Sequence, residues 1–321
     1  MKLIQLAASA LFALTCTVLH AQAWPTKPVR LIVAGPPGGS ADIVARLVAE
    51  PLSKAWGQPV LVEPKPGAGG SIAVGDLLAS PHDGQTLLVA VNSVASEVPH
   101  IMKLRWDPLK ELKPQAELAR GGLVLIANPS VPAKDLKELI AYAKTKPNTI
   151  AYASYSPGTM SHVLGLILNQ AAGIDLVHVG YKGSTAALQD VMGGHVPLMF
   201  DGIATSLPMI KAGKVKAIAV STPKRMPQLP DVPTFHELGY PQMDAIGWMG
   251  LWTPPDVPAA TQAKIRDAVM KVLADPALRT RLLETGFDNG AGATPEELQK
   301  GLQADSERVG RVLKSIGFEP E

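Results

Sequence analysis

Short apolar runs of strand length recur along the chain, and helical patterns separate most of them. The runs are Val29–Ala34, Val60–Glu63, Thr86–Val91, Leu123–Ala127, Ile150–Ser154, Leu176–Val179, Val196–Phe200, Val215–Val220 and Ile246–Trp252. After the first run, Asp42 to Val48 places its apolar residues at i, i+1, i+4 and i+5, one face of a helix. Pro51 falls inside that helix or ends its first half, which predicts a kink. Val131 to Leu136 reads as a helix start, with Pro132 in the first turn and Asp135 close behind. Near-continuous apolar strands alternating with helices predict an α/β fold with parallel sheets covered on both faces.

From Pro258 to Gly317 the pattern is helical throughout, carried by Ile265, Val269, Leu273, Leu278, Leu282, Leu302, Val309 and Leu313. Thr294-Pro295-Glu296-Glu297 marks a helix start, with a Thr cap, proline at the first position and acids in the first turn. No strand run lies among these helices, so they are expected to pack on a sheet built earlier. That predicts a discontinuous first lobe, 24–124 plus 249–321, with 125–248 as the second. The connections fall near Gly121-Gly122 and Gly247–Gly250, where glycine suits a hinge.

The N-terminus has a different character. Lys2, the mostly apolar Leu3 to Leu19 and Ala21-Gln22-Ala23 read as a signal peptide cut after Ala23, which predicts export to the periplasm. A lipoprotein anchor at Cys16 is the rival, but Thr15 stands where such a motif wants a smaller residue. Cleavage leaves no cysteine, hence no disulfide or thiolate chemistry. It also leaves about 298 residues, more than one usual core and enough for two domains. With Lys2 removed from the 30 basic residues, charge is nearly balanced against 28 acidic ones, with no basic tract. Neither nucleic acid nor an anionic membrane surface is favoured as a partner.

Two glycine turns carry the strongest chemical signal: Gly35-Pro36-Pro37-Gly38-Gly39-Ser40 and Pro66-Gly67-Ala68-Gly69-Gly70-Ser71. Each reads as strand, turn, helix N-terminus, a junction whose unpaired N–H groups and dipole favour an anion. Three further strand-to-helix turns follow: Ala153 to His162, Gly180 to Thr185, and Phe200-Asp201-Gly202. In a parallel sheet all of these fall at the carboxyl edge, where open α/β sheets bind ligands. Several of these residues have a plainer reading. Asp42 reads as a dipole partner or an ion pair with Arg46. Lys182 is solvated or faces an anion, and Asp201 faces the cleft or the core. His162 reads as a local hydrogen-bond partner ahead of a general base. Trp248 and Trp252 are expected to pack at the lobe junction.

Enzyme templates are missing. There is no G-x-G-x-x-G, no G-x-x-x-x-G-K-[ST] and no G-x-S-x-G. Ser221-Thr222-Pro223-Lys224 matches S-x-x-K, but its proline sits where that motif needs a helix. The histidines after residue 23 show no H-x-x-x-H pair or other metal-ligand spacing, so no metal and no cofactor are expected.

Taken together, these segments resemble the substrate-binding receptors of tripartite tricarboxylate transporters, the Bug family. The matching text is Pro37 to Arg46, Pro66 to Gly70, Pro81 to Leu88, Tyr181-Lys182-Gly183, Lys211 to Val215 and Leu229 to Thr234. The resemblance implies a type II periplasmic binding-protein fold, two lobes closing on a carboxylate, with membrane permease subunits as partners and no catalysis. A monomer is expected. Carried over by position, it places the carboxylate against Gly38, Gly39 and Ser40 and against Gly67, Ala68, Gly69 and Gly70. The other lobe would select the rest of the ligand through Ser156, Gly158, Thr159, Ser161, His162, Tyr181, Lys182, Gly183 and Asp201. The chain departs from the family pattern at Gly180, at Pro64-Lys65 and at Ser156 to Thr159, all of them cleft positions. A sensor receptor and an α/β enzyme on an anionic substrate are the alternative readings.

Overall fold

The computed structural model describes residues 24–290, 292–315 and 318; the signal-peptide reading of residues 1–23 lies outside them. Strands β1 (Val29–Val33), β2 (Val60–Pro64), β3 (Thr86–Val91), β4 (Lys113–Gly121), β10 (Gly247–Thr253) and β11 (Asp288–Asn289) form one sheet in the order β11-β4-β10-β3-β1-β2. Strands β5 (Leu123–Ala127), β6 (Ala151–Ser154), β7 (Val177–Gly180), β8 (Leu198–Gly202) and β9 (Lys216–Val220) form the other, in the order β7-β6-β8-β5-β9.

Neither sheet is wholly parallel, contrary to the expectation from the apolar runs. Strand β1 pairs in parallel with β2 and β3, and β6 with β7 and β8. Strand β10, however, is antiparallel to both β3 and β4, and β5 is antiparallel to both β8 and β9. Strand β11 is antiparallel to β4 as well, while β5 and β10 are strands that carry the chain between lobes. The chain leaves the first sheet through β4, turns at Gly122 and enters the second as β5; it returns through β10. A strand arriving from the other lobe need not run with those fed by β-α-β crossovers. Leu123 and Val124 belong to the second sheet, and Gly247 and Trp248 to the first.

Helix α1 (Ser40–Trp56) runs through Pro51 without interruption. Its face of Val44, Leu47, Val48 and Leu52 covers Val29, Leu31 and Val33, while Ile32 points to the opposite face with Leu88, Leu77 and Trp252. Burial on both faces is why β1 reads as a continuous apolar run. Helix α2 (Ser71–Ala79) follows the second glycine turn, and the short α3 (Ser93–Ser96) and α4 (Pro108–Glu111) follow β3. Helix α5 spans Leu136–Lys144, starting later than Pro132 predicts. Asp135 caps it, its Oδ1 accepting from Glu138 N–H at 2.8 Å.

In the second lobe, α6 (Met160–Ala172), α7 (Ser184–Gly193) and α8 (Ile203–Lys211) each follow a strand of the second sheet. Helices α9 (Ala259–Leu273), α10 (Pro276–Glu284) and α11 (Pro295–Ser315) complete the chain, with β11 between the last two where no strand was expected. The start of α11 is a reciprocal cap: Thr294 N–H donates to Glu297 Oε2, and Glu297 N–H to Thr294 Oγ1. Leu302 of this helix joins the first lobe's core, whereas Val309 and Leu313 join the second's. The terminal helix therefore packs against both lobes.

Candidate ligand cleft between the lobes

The strand-to-helix turns of both lobes open onto one cleft, enclosing about 930 Å³ of non-atom space with its solvent-open mouth included. Its lobe 1 wall includes Gly39, Ser40, Gly67, Gly69 and Gly70, and its lobe 2 wall includes Ser156, Thr159, Lys182 and Gly183. All nine were expected there from the sequence. The crossing strands form the floor through Leu123, Trp248 and Met249. Trp248 stacks on the fully buried Trp252 at 5.2 Å and 12°, at the lobe junction as expected. Lys182, itself exposed, is the one charged side chain among the described lining residues.

Helix N-termini supply the polarity. Gly39, Gly183 and Gly202 stand at the N-cap positions of α1, α7 and α8, and no side chain caps any of the three. The first N–H groups of such helices lack intrahelical acceptors and carry the positive end of the dipole. In the second glycine turn Ala68, Gly69 and Gly70 all have positive φ, at 48°, 62° and 96°. Glycine accommodates that reversal without a Cβ clash.

The glycine N–H groups are less available than the sequence implied. Gly38 N–H donates to Asp42 Oδ2 at 2.9 Å, Gly39 N–H to Pro36 O at 3.1 Å, and Gly70 N–H to Gly67 O at 3.0 Å. Gly69 N–H donates across the cleft to Ser156 Oγ at 3.0 Å. The donors beside these lie at Gly67 and one step later in the first turn of α1, where Ser40 and Ala41 line the cleft. Asp42 serves as both of its plain readings at once, holding Gly38 and pairing with Arg46 Nε at 2.9 Å.

Gly38, Ala68, Gly158, Ser161, His162, Tyr181 and Asp201 are not among the lining residues. Most have structural partners behind the wall. Ser161 is fully buried and its hydroxyl donates to Phe200 O. His162 stacks on His178 at 3.7 Å, and its Nδ1 accepts from Gly158 N–H at 3.3 Å. Burial, with His178 alongside, lowers the His162 pKa to about 3, so the ring is neutral at ordinary pH. Tyr181 donates its hydroxyl to Asp190 Oδ2 at 2.5 Å. Asp201 is fully buried and accepts from Ser184 Oγ, and from Thr205 Oγ1 and Ser206 Oγ at 2.6 Å each. Burial raises its pKa, with these hydroxyls and the Gly202 amide opposing. Asp201 thus faces the core and orients the cleft residue Ser184.

Sequence reasoning missed Asn92, Ser93 and Met160, which also line the cleft. Ser93 is 2% exposed, and its Oγ has no hydrogen-bond partner. Only its position just past the carboxyl end of β3 signalled it.

The lobes already touch in this arrangement. Besides the Gly69–Ser156 bond, Thr185 Oγ1 donates to Pro37 O at 3.3 Å. A Cβ on Gly202 would come within 2.5 Å of Ser40 Oγ, and one on Gly183 would overlap the Pro36 ring.

Two lobes on alternating chain segments, meeting over a cleft ringed by helix N-termini, define a type II periplasmic binding protein. The receptor model of the tripartite tricarboxylate transporter family matches residues 44–318, and the chain belongs to that family. A UPF0065 protein of Bordetella bronchiseptica is 36% identical over 293 residues, spanning 90% of this chain and 85% of that protein. Among solved structures, Rpa4515 of R. palustris with adipate is similar at TM-score 0.89 and 29% identity, covering 93% of this chain and 100% of that one. MatC of Rhodopseudomonas palustris with bound malate is similar at TM-score 0.85 and 32% identity, covering 90% and 100%.

Proposed function

We propose that this chain is a periplasmic receptor that captures a small organic carboxylate and delivers it to the permease subunits of a tripartite tricarboxylate-type transporter. The carrying observation is the uncapped N-terminus of α1 opening onto the cleft between the lobes. A carboxylate there meets the N–H groups of the first turn and the positive end of a 17-residue helix. Each charge-assisted bond contributes about 1.5–3 kcal/mol, so a few of them, after ordering costs, are compatible with micromolar affinity. The carboxylates in the Rpa4515 and MatC structures support the same ligand class.

The lobes are 24–121 plus 247–321 and 123–246, hinged at the two crossings. The ligand meets the nine expected wall residues together with Asn92, Ser93 and Ser184, and the seven behind the wall shape it. The receptor acts as a monomer after cleavage at Ala23 and leaves its ligand chemically unchanged. Mass spectrometry of ligand carried through purification tests this: an intact carboxylate of constant mass is expected, and a nucleotide, a sugar or a turnover product would contradict it.

A further inference from the structure

We propose that a second cavity, behind the two crossings, is the counterpart of the ligand cleft: it widens as the cleft closes, so the side chains that fill it set ligand affinity without touching the ligand. The inference rests on the receptor reading above and adds how that receptor is tuned.

The back cavity encloses about 770 Å³ of non-atom space with its solvent-open mouth included. Both lobes line it: Arg120, Gly286 and Asp288 come from the first, and residues 222–228 with Ile246 from the second. Positions switch between the two cavities along the crossings. Arg120 lines the back, Gly121 both, and Gly122 and Leu123 the cleft; Ile246 lines the back and Gly247 the cleft. Leading into β11, Gly286 and Asp288 line the back while Phe287 between them lines the cleft. Successive residues of an extended segment point to opposite sides, so the crossings separate the two spaces.

The joint itself is close-packed. A Cβ on Gly122 would come within 2.5 Å of Thr222 Cγ2, and one on Gly121 within 3.2 Å of Phe287 Cδ1. Contacts this tight resist sliding, so the lobes move by rotation about the crossings. Rotation about an axis between two spaces narrows one as it widens the other.

With Gly69 bonded to Ser156 across the cleft, the back cavity is present, and Gln228 Nε2 reaches from the second lobe to Leu283 O at 2.5 Å. The arginines of the cavity pair within their own lobes, Arg120 with Glu117 and Arg225 with Glu237. Opening the cleft drives residues 222–228 toward Arg120 and Asp288 and squeezes this space. Bulk placed there therefore opposes opening and raises the population of the form that binds.

Lys224 and Asp288 are exposed lining residues from opposite lobes, so either position takes a tryptophan without disturbing a core. In small-angle scattering of the ligand-free chain, Lys224→Trp or Asp288→Trp should give a smaller radius of gyration than wild type. In calorimetric titration with malate and adipate, affinity for whichever acid binds should rise about three- to tenfold. Lys224→Ala, which removes the charge and adds no bulk, should bind as wild type does; an equal gain from it would trace the effect to charge and overturn the inference. Wild-type radii and affinities in both tryptophan variants, or weaker binding, would also overturn it and leave the carboxylate reading standing. Compaction of the ligand-free variants with neither acid bound would uphold the inference and count against the carboxylate reading.

Discussion

Gly69 and Ser156 join the two lobes: the backbone N–H of the first donates to the hydroxyl of the second at 3.0 Å, in a buried contact. A turn expected to grip the ligand thus spends one of its donors on closure. Ser156→Ala would leave that N–H unsatisfied only in the closed state, at about 1–3 kcal/mol. Ligand affinity should fall by about 5- to 100-fold, with the unfolding midpoint almost unchanged. Calorimetry beside thermal unfolding checks this, and equal affinity would show that the bond does not hold the lobes together.

Gly183 approaches Pro36 so closely that a Cβ would overlap the proline ring, and its φ is +124°. Gly183→Ala is therefore expected to keep both lobes folded but hold them apart, with about 1–3 kcal/mol lost from the closed state. Small-angle scattering should give a larger radius of gyration than wild type in saturating ligand. Equal radii and equal affinity would contradict the close approach.

Asp201 anchors the opposing wall through Ser184, Thr205 and Ser206. Asp201→Ala removes the acceptor shared by three hydroxyls and leaves the buried ones of Ser184 and Ser206 without it, while Thr205 Oγ1 keeps Gly202 O at 2.9 Å. Stability should drop by at least about 3 kcal/mol in urea unfolding. A loss under about 1 kcal/mol would mean that these hydroxyls find other partners.

That anchor shows where the sequence ran out. Asp201 ends an apolar strand, and the pattern left cleft and core equally open; three hydroxyls on the helices beside it decided for the core. Strand β4 was missed because its buried Gln115 and Glu117 disguise the apolar alternation. Gln115 Nε2 is satisfied by Thr253 Oγ1 at 2.8 Å, and Glu117 by Arg120 Nε at 2.5 Å. Strand direction was also invisible, because an apolar run is the same read either way. By contrast, Leu31, Ile32 and Leu88 gave strands, and Val44, Val48 and Leu52 gave a helix face, because each is wholly or almost wholly buried. The glycine turns were found because their residues tolerate positive φ, but which N–H groups were already bonded depended on Pro36, Asp42 and Ser156 in three dimensions.

His162 and His178 set a pH dependence. Burial lowers their pKa values to about 3 and about 4, below that of an unfolded histidine. Through these two groups the unfolded chain binds more protons across the interval between, and their contribution to stability rises with pH there, opposed by Glu97, whose pKa burial raises to about 8. The contribution is complete above about pH 6.5 and is lost as pH falls toward about 4. His178→Phe keeps a ring beside His162 and removes one titrating group, so its unfolding midpoint should fall less steeply over that range. An unchanged slope would show that the pair is not buried neutral.

The central claim is capture of a carboxylate without chemistry. The most direct measurement is calorimetric titration with a panel of small carboxylates, followed by mass analysis of the ligand recovered from the saturated protein. One-site binding of at least one carboxylate, recovered unaltered, is the expected result. No binding by any member of the panel, or recovery of a converted product, would contradict the account.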